Sequence, residues 1–189
     1  MSILHVHTFF TSSGDGWNAF AQTRPSALRL FMLLVAPFSL IPPLMLEYAG
    51  RHVGATLYPG TPQLAWGMAA LFFLLAELIT VPLMARAIRS IARSKGIAAT
   101  DREAFALAAV APVPLWLSSL VMFYDQVFLI MAGVALGLAG SVVLMFRGVQ
   151  RILKVEEGLV AIDIAYTVTA LGLIAWVVLV MLGLIPALA

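Results

Sequence analysis

FFLLAELITVPLM, residues 72–84, holds one carboxylate and one proline in a run that is otherwise almost wholly apolar. What Glu77 does there depends on the solvent around the segment, and the composition of the whole chain decides that. The 189 residues are 62% hydrophobic and only 11% charged, with a mean hydropathy of +1.04. Soluble domains run at about 45–50% apolar and about 25% charged, so this chain belongs to the class built of membrane spans. Its polar stretches are short, roughly 15–25 residues at most, which leaves no room for a separate soluble domain. Cysteine is absent, and with it disulfides, thiolate metal sites and thiol catalysis.

Working outward from Glu77, five spans can be drawn, at about 26–46, 64–85, 101–122, 127–146 and 159–184. Each supplies the roughly 20 residues that a hydrocarbon layer of about 30 Å needs at 1.5 Å per residue. Only Phe123, Tyr124, Asp125 and Gln126 separate the third and fourth, which makes them a helical hairpin. The expected fold is all-α, a five-helix membrane bundle over residues 26–189 behind a cytoplasmic N-terminal segment, 1–25. Basic residues set its orientation. Arg24, Arg29, Arg86, Arg89, Arg93, Lys95, Arg102, Arg147, Arg151 and Lys154 fall on one side, and Arg51 alone on the other. That asymmetry predicts the N-terminus in the cytoplasm and the C-terminus outside. A four- or six-span arrangement scatters the same charges.

The first residues do not read as a signal peptide, because they lack a basic start and their apolar stretches are short. Within DGWNAFAQ (15–22), Trp17, Phe20 and Ala21 share a helical face, the pattern of a short helix lying in the membrane interface. Further on, Thr100 and Glu103 have the spacing of a capping box that starts the third span. Gly96 is suited to ending the helix before it. Between those points the second helix leaves the membrane with Arg86, Arg89 and Arg93 on one side and Ile88, Ile91 and Ala92 on the other. RGVQRILKVEEG (147–158) repeats the device, with Arg147, Arg151 and Lys154 opposite Val149, Ile152 and Leu153. Two basic amphipathic segments on one surface are suited to anionic lipid head groups. The plainer reading makes them ordinary positive-inside flanks.

In the fourth span, Gly133, Gly137 and Ser141 recur every fourth residue, a spacing that lets helix backbones approach closely. Packing within the chain is the simpler use of that face; a homo-oligomer contact is the other. Prolines at 37, 42, 43, 82, 112 and 114 each remove a backbone donor, and are expected to face the bundle interior, where neighbours can satisfy the freed carbonyls.

Glu77 lies nine residues from Arg86 and eleven from Trp66, about 14–16 Å from either boundary and so near the midplane. An ionised carboxylate there costs at least about 2.5–3.5 kcal/mol, so the group is neutral or turned to a polar interior. Pro82 and Thr80 add polar character to the same stretch, and the carbonyl of Leu78 loses its donor to Pro82. Ser39 and Thr169 are depth-matched partners, with Tyr166 one helical turn further. Glu77 reads either as a proton or cation relay or as a hydrogen-bonded group that fixes helix register. No second carboxylate shares its depth, which favours the structural reading.

His5, His7 and His52 cannot assemble a three-ligand metal site, and no HExxH, GxSxG, Walker or GxGxxG pattern occurs. No catalytic residue, metal or cofactor is expected, and no nucleic-acid partner. The hairpin, the proline-bearing third helix AFALAAVAPVPLWLSSLV (104–121) and the stretch MFRGVQRILKVEEGLVAIDIAYTVTALG (145–172) together resemble the YIP family of Ypt/Rab-interacting membrane proteins. There an aromatic and Gly148 close span four and a V-E-E-G segment opens span five. The resemblance covers about residues 15–185 and implies an integral membrane protein whose eukaryotic members act in vesicle traffic and bind Rab GTPases. With about 24 residues ahead of the first span, this chain looks like the compact bacterial branch, in a cell inner membrane.

Two functions fit these features. One is a non-enzymatic inner-membrane protein that organises lipids or partner proteins through its basic cytoplasmic face. The other is a small proton-coupled transporter or permease using Glu77. The partners expected are the bilayer, its anionic lipids, and a second copy or another membrane protein.

Overall fold

In the computed structural model, which describes residues 25–156 and 158–188, five helical rods are long and apolar enough to cross a membrane. They run Ala27–Arg51, Gln63–Ser94, Asp101–Phe123, Val127–Ile152 and Gly158–Leu182. The interfacial helix expected at 15–22 lies outside the described residues. Every rod reaches the lengths that hydrocarbon thickness demands, and several run past the apolar window that marks them in sequence. The first extends to Arg51 and the second to Ser94, because helix hydrogen bonding continues into the head-group region where charged side chains are welcome.

The rods differ in regularity. The first is assembled from α1 (Ala27–Leu30), a π-helical turn at Phe31–Val35, α2 (Ala36–Ser39) and α3 (Ile41–Arg51), followed by a short α4 (Val53–Leu57). The second is one unbroken helix, α5 (Gln63–Ser94). The third divides into α6 (Asp101–Val110), α7 (Val113–Ser118) and a 3-10 turn at Ser119–Phe123. The fourth and fifth are α8 (Val127–Ile152) and α9 (Gly158–Leu188).

The prolines do not all behave as their number suggests. Pro82 sits inside α5 without ending it. Pro37, Pro42 and Pro114 occupy the first turn of α2, α3 and α7, where a helix has no use for the missing N–H. Nor do they all face inward: Pro43 is buried, Pro42, Pro82, Pro112 and Pro114 are half-buried, and Pro37 is exposed. A proline in a first turn leaves no new orphan carbonyl to hide, so Pro37 has no reason to seek the interior.

Helix ends follow the local chemistry. Thr100 and Glu103 form the complete capping box, the Thr100 hydroxyl accepting from the Glu103 amide and the Glu103 carboxylate accepting from the Thr100 amide. Gly96, at φ +78°, ends α5: the amide of Ile97 donates to the Ala92 carbonyl and that of Gly96 to the Arg93 carbonyl.

Alanine dominates the centre of the bundle. Ala104, Ala106, Ala108, Ala109 and Ala111 of the third rod are buried among Ala85, Ile88 and Ala92 of α5 and Ala161, Ile164, Ala165 and Val168 of α9. Small side chains let these helices approach closely, which matters in hydrocarbon, where apolar surface gains little by leaving lipid. Large apolar side chains such as Phe72, Leu75, Ile79, Phe128, Leu136 and Ile174 point outward, as a lipid-facing belt requires. At the end opposite the two basic loops, Trp66 is buried against the glycine face of α3 and α4. A Cβ on Gly50 would come within 2.5 Å of its ring, and one on Gly54 within 3.0 Å.

Candidate functional site

Glu77 points into the bundle and is only 6% exposed. Its Oε1 accepts a hydrogen bond of 2.7 Å from the indole Nε1–H of Trp116, which is itself buried. This tie joins the second rod to the third across 39 positions of sequence. The third rod changes course at Ala111 and Pro112, and the new helix α7 carries Trp116 on its buried side.

The partners expected from depth alone behave otherwise. Ser39 is fully buried, but its hydroxyl donates to the Ala36 carbonyl one turn back, a local bond that a serine in a helix readily makes. Tyr166 is 67% exposed and packs edge-on against Phe146 at 5.6 Å. Thr80 donates to the Ala76 carbonyl at 2.7 Å. Thr169 does share the space beside Glu77, without a hydrogen bond between them. Trp116 has its own signal in sequence: it lies seven residues inside the end of its span at Phe123, away from the interface where membrane tryptophans gather.

Beside Glu77 lies a cleft of about 140 Å³ between the second, third, fourth and fifth rods. Thr80, Trp116, Ser141, Thr169 and Trp176 contribute to its walls, and the rest is mostly aliphatic, including Val81, Met84, Leu115, Leu138 and Leu173.

The small-residue face of α8 packs within the chain. Gly133 and Gly137 are buried against the second half of the third rod, α7 and the 3-10 turn. A Cβ on Gly133 would meet Val121 Cγ2 at 2.6 Å, and one on Gly137 would overlap Ser118 and come within 3.0 Å of the Pro114 carbonyl oxygen. Ser141, one turn on, faces the cleft instead.

The basic residues between spans two and three and between four and five collect at one end of the bundle. They are not equivalent. Arg86, Arg93, Arg147, Arg151 and Lys154 are exposed, while Ile88, Ala92, Val149, Ile152 and Leu153 beneath them are buried. Arg89 is half-buried and paired with Asp101, and Lys95 pairs with Asp163 at 2.5 Å. These two pairs clamp the start of the third and fifth rods to the end of the second. Lys154 lies beyond the end of α8 at Ile152, with φ +54°, so the i, i+7 register read from sequence does not continue to it.

No group of three or more potential metal-ligating side chains occurs among the described residues. The Yip1 domain family matches residues 7–183, nearly the full length. The chain belongs to the Yip1 family. No curated protein and no solved structure matches it. As a Yip1-family chain with five apolar rods it is a multi-pass membrane protein, and its place is the lipid bilayer.

Proposed function

We propose that this Yip1-family protein is a non-enzymatic component of a cell inner membrane that gathers anionic lipids, and partner proteins carrying acidic surfaces, at its basic cytoplasmic end. The observation that carries this reading is the set of exposed cations, Arg86, Arg93, Arg151 and Lys154, standing over a buried apolar layer at one end of the bundle. Each basic side chain near an anionic surface contributes about 1 kcal/mol, and the attraction fades within a Debye length of about 8–10 Å. Arg89 and Lys95 contribute less to that field, since carboxylates already neutralise them.

The test is lipid selectivity around the full-length protein in nanodiscs of mixed phosphatidylcholine and phosphatidylglycerol, read with spin-labelled lipids. The motionally restricted shell should be enriched in phosphatidylglycerol at low salt and lose that enrichment at high salt. Replacing Arg86, Arg93, Arg151 and Lys154 with glutamine should abolish it. Enrichment that survives the substitutions would reduce these charges to topology signals.

A second reading, a proton-coupled permease, has one observation in its favour: Glu77 Oε2 is buried, borders a cleft and accepts no hydrogen bond. Proton uptake by liposomes that carry the protein, compared with the Glu77→Gln variant, separates this reading from the first.

A further inference from the structure

Four buried side-chain polar atoms among the described residues lack a hydrogen-bond partner: Glu77 Oε2, Ser141 Oγ, Thr169 Oγ1 and Arg89 Nε. The last lies at the basic end. The other three belong to residues on three different rods, and all three residues line the one cleft. A buried donor or acceptor without a partner is costly, so three around one space mark a place where something polar is accommodated.

The rest of the wall limits what that is. Val81, Met84, Leu115, Leu138, Val168 and Leu173 are apolar, so an occupant that fills the space must meet the three polar atoms and also cover an aliphatic wall. The wall lies wholly within the membrane-crossing rods, between Glu77 and Ile88, Ala108 and Trp116, Leu138 and Met145, and Val168 and Leu179. The walls run from the depth of Glu77 to Ile88, two residues past Arg86, a range of depth that amphiphiles of the bilayer share. The volume, about 140 Å³, is close to that of an engineered cavity of about 150 Å³ that takes a benzene ring. A phosphate-bearing head group finds no cation on its walls.

We infer that this cleft binds the head of a neutral, single-chain amphiphile from the bilayer, a long-chain alcohol, with its tail running out among the lipid chains. A hydroxyl supplies one donor and two acceptor lone pairs, enough to serve Glu77 Oε2 and accept from Ser141 or Thr169. The aliphatic wall takes the first carbons. The inference uses none of the basic residues on which the proposed function stands.

The experiment uses the full-length protein in phosphatidylcholine nanodiscs and the probe 4-bromododecan-1-ol, whose bromine quenches tryptophan. Trp116 and Trp176 both border the cleft, so occupancy reports directly on their emission. Quenching should saturate and be reversed by unbrominated dodecan-1-ol. The hydrocarbon 4-bromododecane should bind about tenfold more weakly, the loss expected when polar groups stay unpaired. Gly172→Leu should remove the saturable component by filling the cleft, because a Cβ there meets only Met84 Cε, at 3.9 Å. Ser141→Ala combined with Thr169→Val keeps the shape and should reduce the preference for the alcohol, leaving the part that Glu77 supplies; thermal unfolding verifies that each variant is folded. Quenching that rises linearly, equally for alcohol and hydrocarbon and unchanged in folded variants, would mean partition into lipid alone and would overturn the site.

Discussion

Glu77 and Trp116 form the polar tie inside the apolar bundle, and each is the other's partner on a single oxygen and a single N–H. Glutamine at 77 keeps an acceptor for the indole, so Glu77→Gln should unfold in detergent at nearly the parent temperature. Glu77→Leu leaves the indole N–H bare and should lose a modest amount. Interhelical hydrogen bonds in membranes average about 0.6 kcal/mol and reach about 1.7, so a double-mutant cycle of Glu77→Leu with Trp116→Phe should return a coupling in that range. A coupling of zero would show that the bond contributes nothing to stability. Sequence alone reveals that Glu77 is a misfit in its segment; it does not reveal the partner. Depth matching offers Ser39 and Thr169, with Tyr166 a helical turn further, and the choice of Trp116 depends on how the third rod rotates after Pro112.

At the scale of elements, the contact between α8 and the second half of the third rod rests on missing side chains. Gly133→Ala should destabilise the protein by about 1–3 kcal/mol, since the new methyl group would sit 2.6 Å from Val121 Cγ2. Removing those methyls with Val121→Ala in the same chain should restore most of the loss, though the Val121 Cβ, at 3.0 Å, stays tight. Gly67→Ala is the control: nothing lies within 4 Å of its Cβ, and it should cost nothing. Unfolding midpoints in detergent check all three, and a Gly133→Ala variant as stable as the parent would show that the helices can slide apart. The four-residue spacing of Gly133, Gly137 and Ser141 is legible as a packing face. Which helix it meets is not, because small residues accept any close neighbour.

For the whole molecule, an odd number of crossings places the two termini on opposite sides, and the basic end should face the cytoplasm by the positive-inside rule. A periplasm-active reporter fused after Ala189 should therefore be active, and one active only in the cytoplasm should not; the reverse result would invert the orientation. The five crossings themselves are settled by the sequence, because bilayer thickness imposes a length of apolar chain that no soluble fold needs. The capping box at Thr100 and the stop at Gly96 are equally local, since each is decided by residues three or four positions apart. What only the tertiary structure decided is the arrangement across the membrane plane. In hydrocarbon there is little hydrophobic gain to direct one helix toward another, so rotation and partners follow from close packing of small residues and a few polar ties. Those depend on all the rods together: Trp116 on Glu77, Asp163 on Lys95, and three unpaired polar atoms from three rods around one cleft.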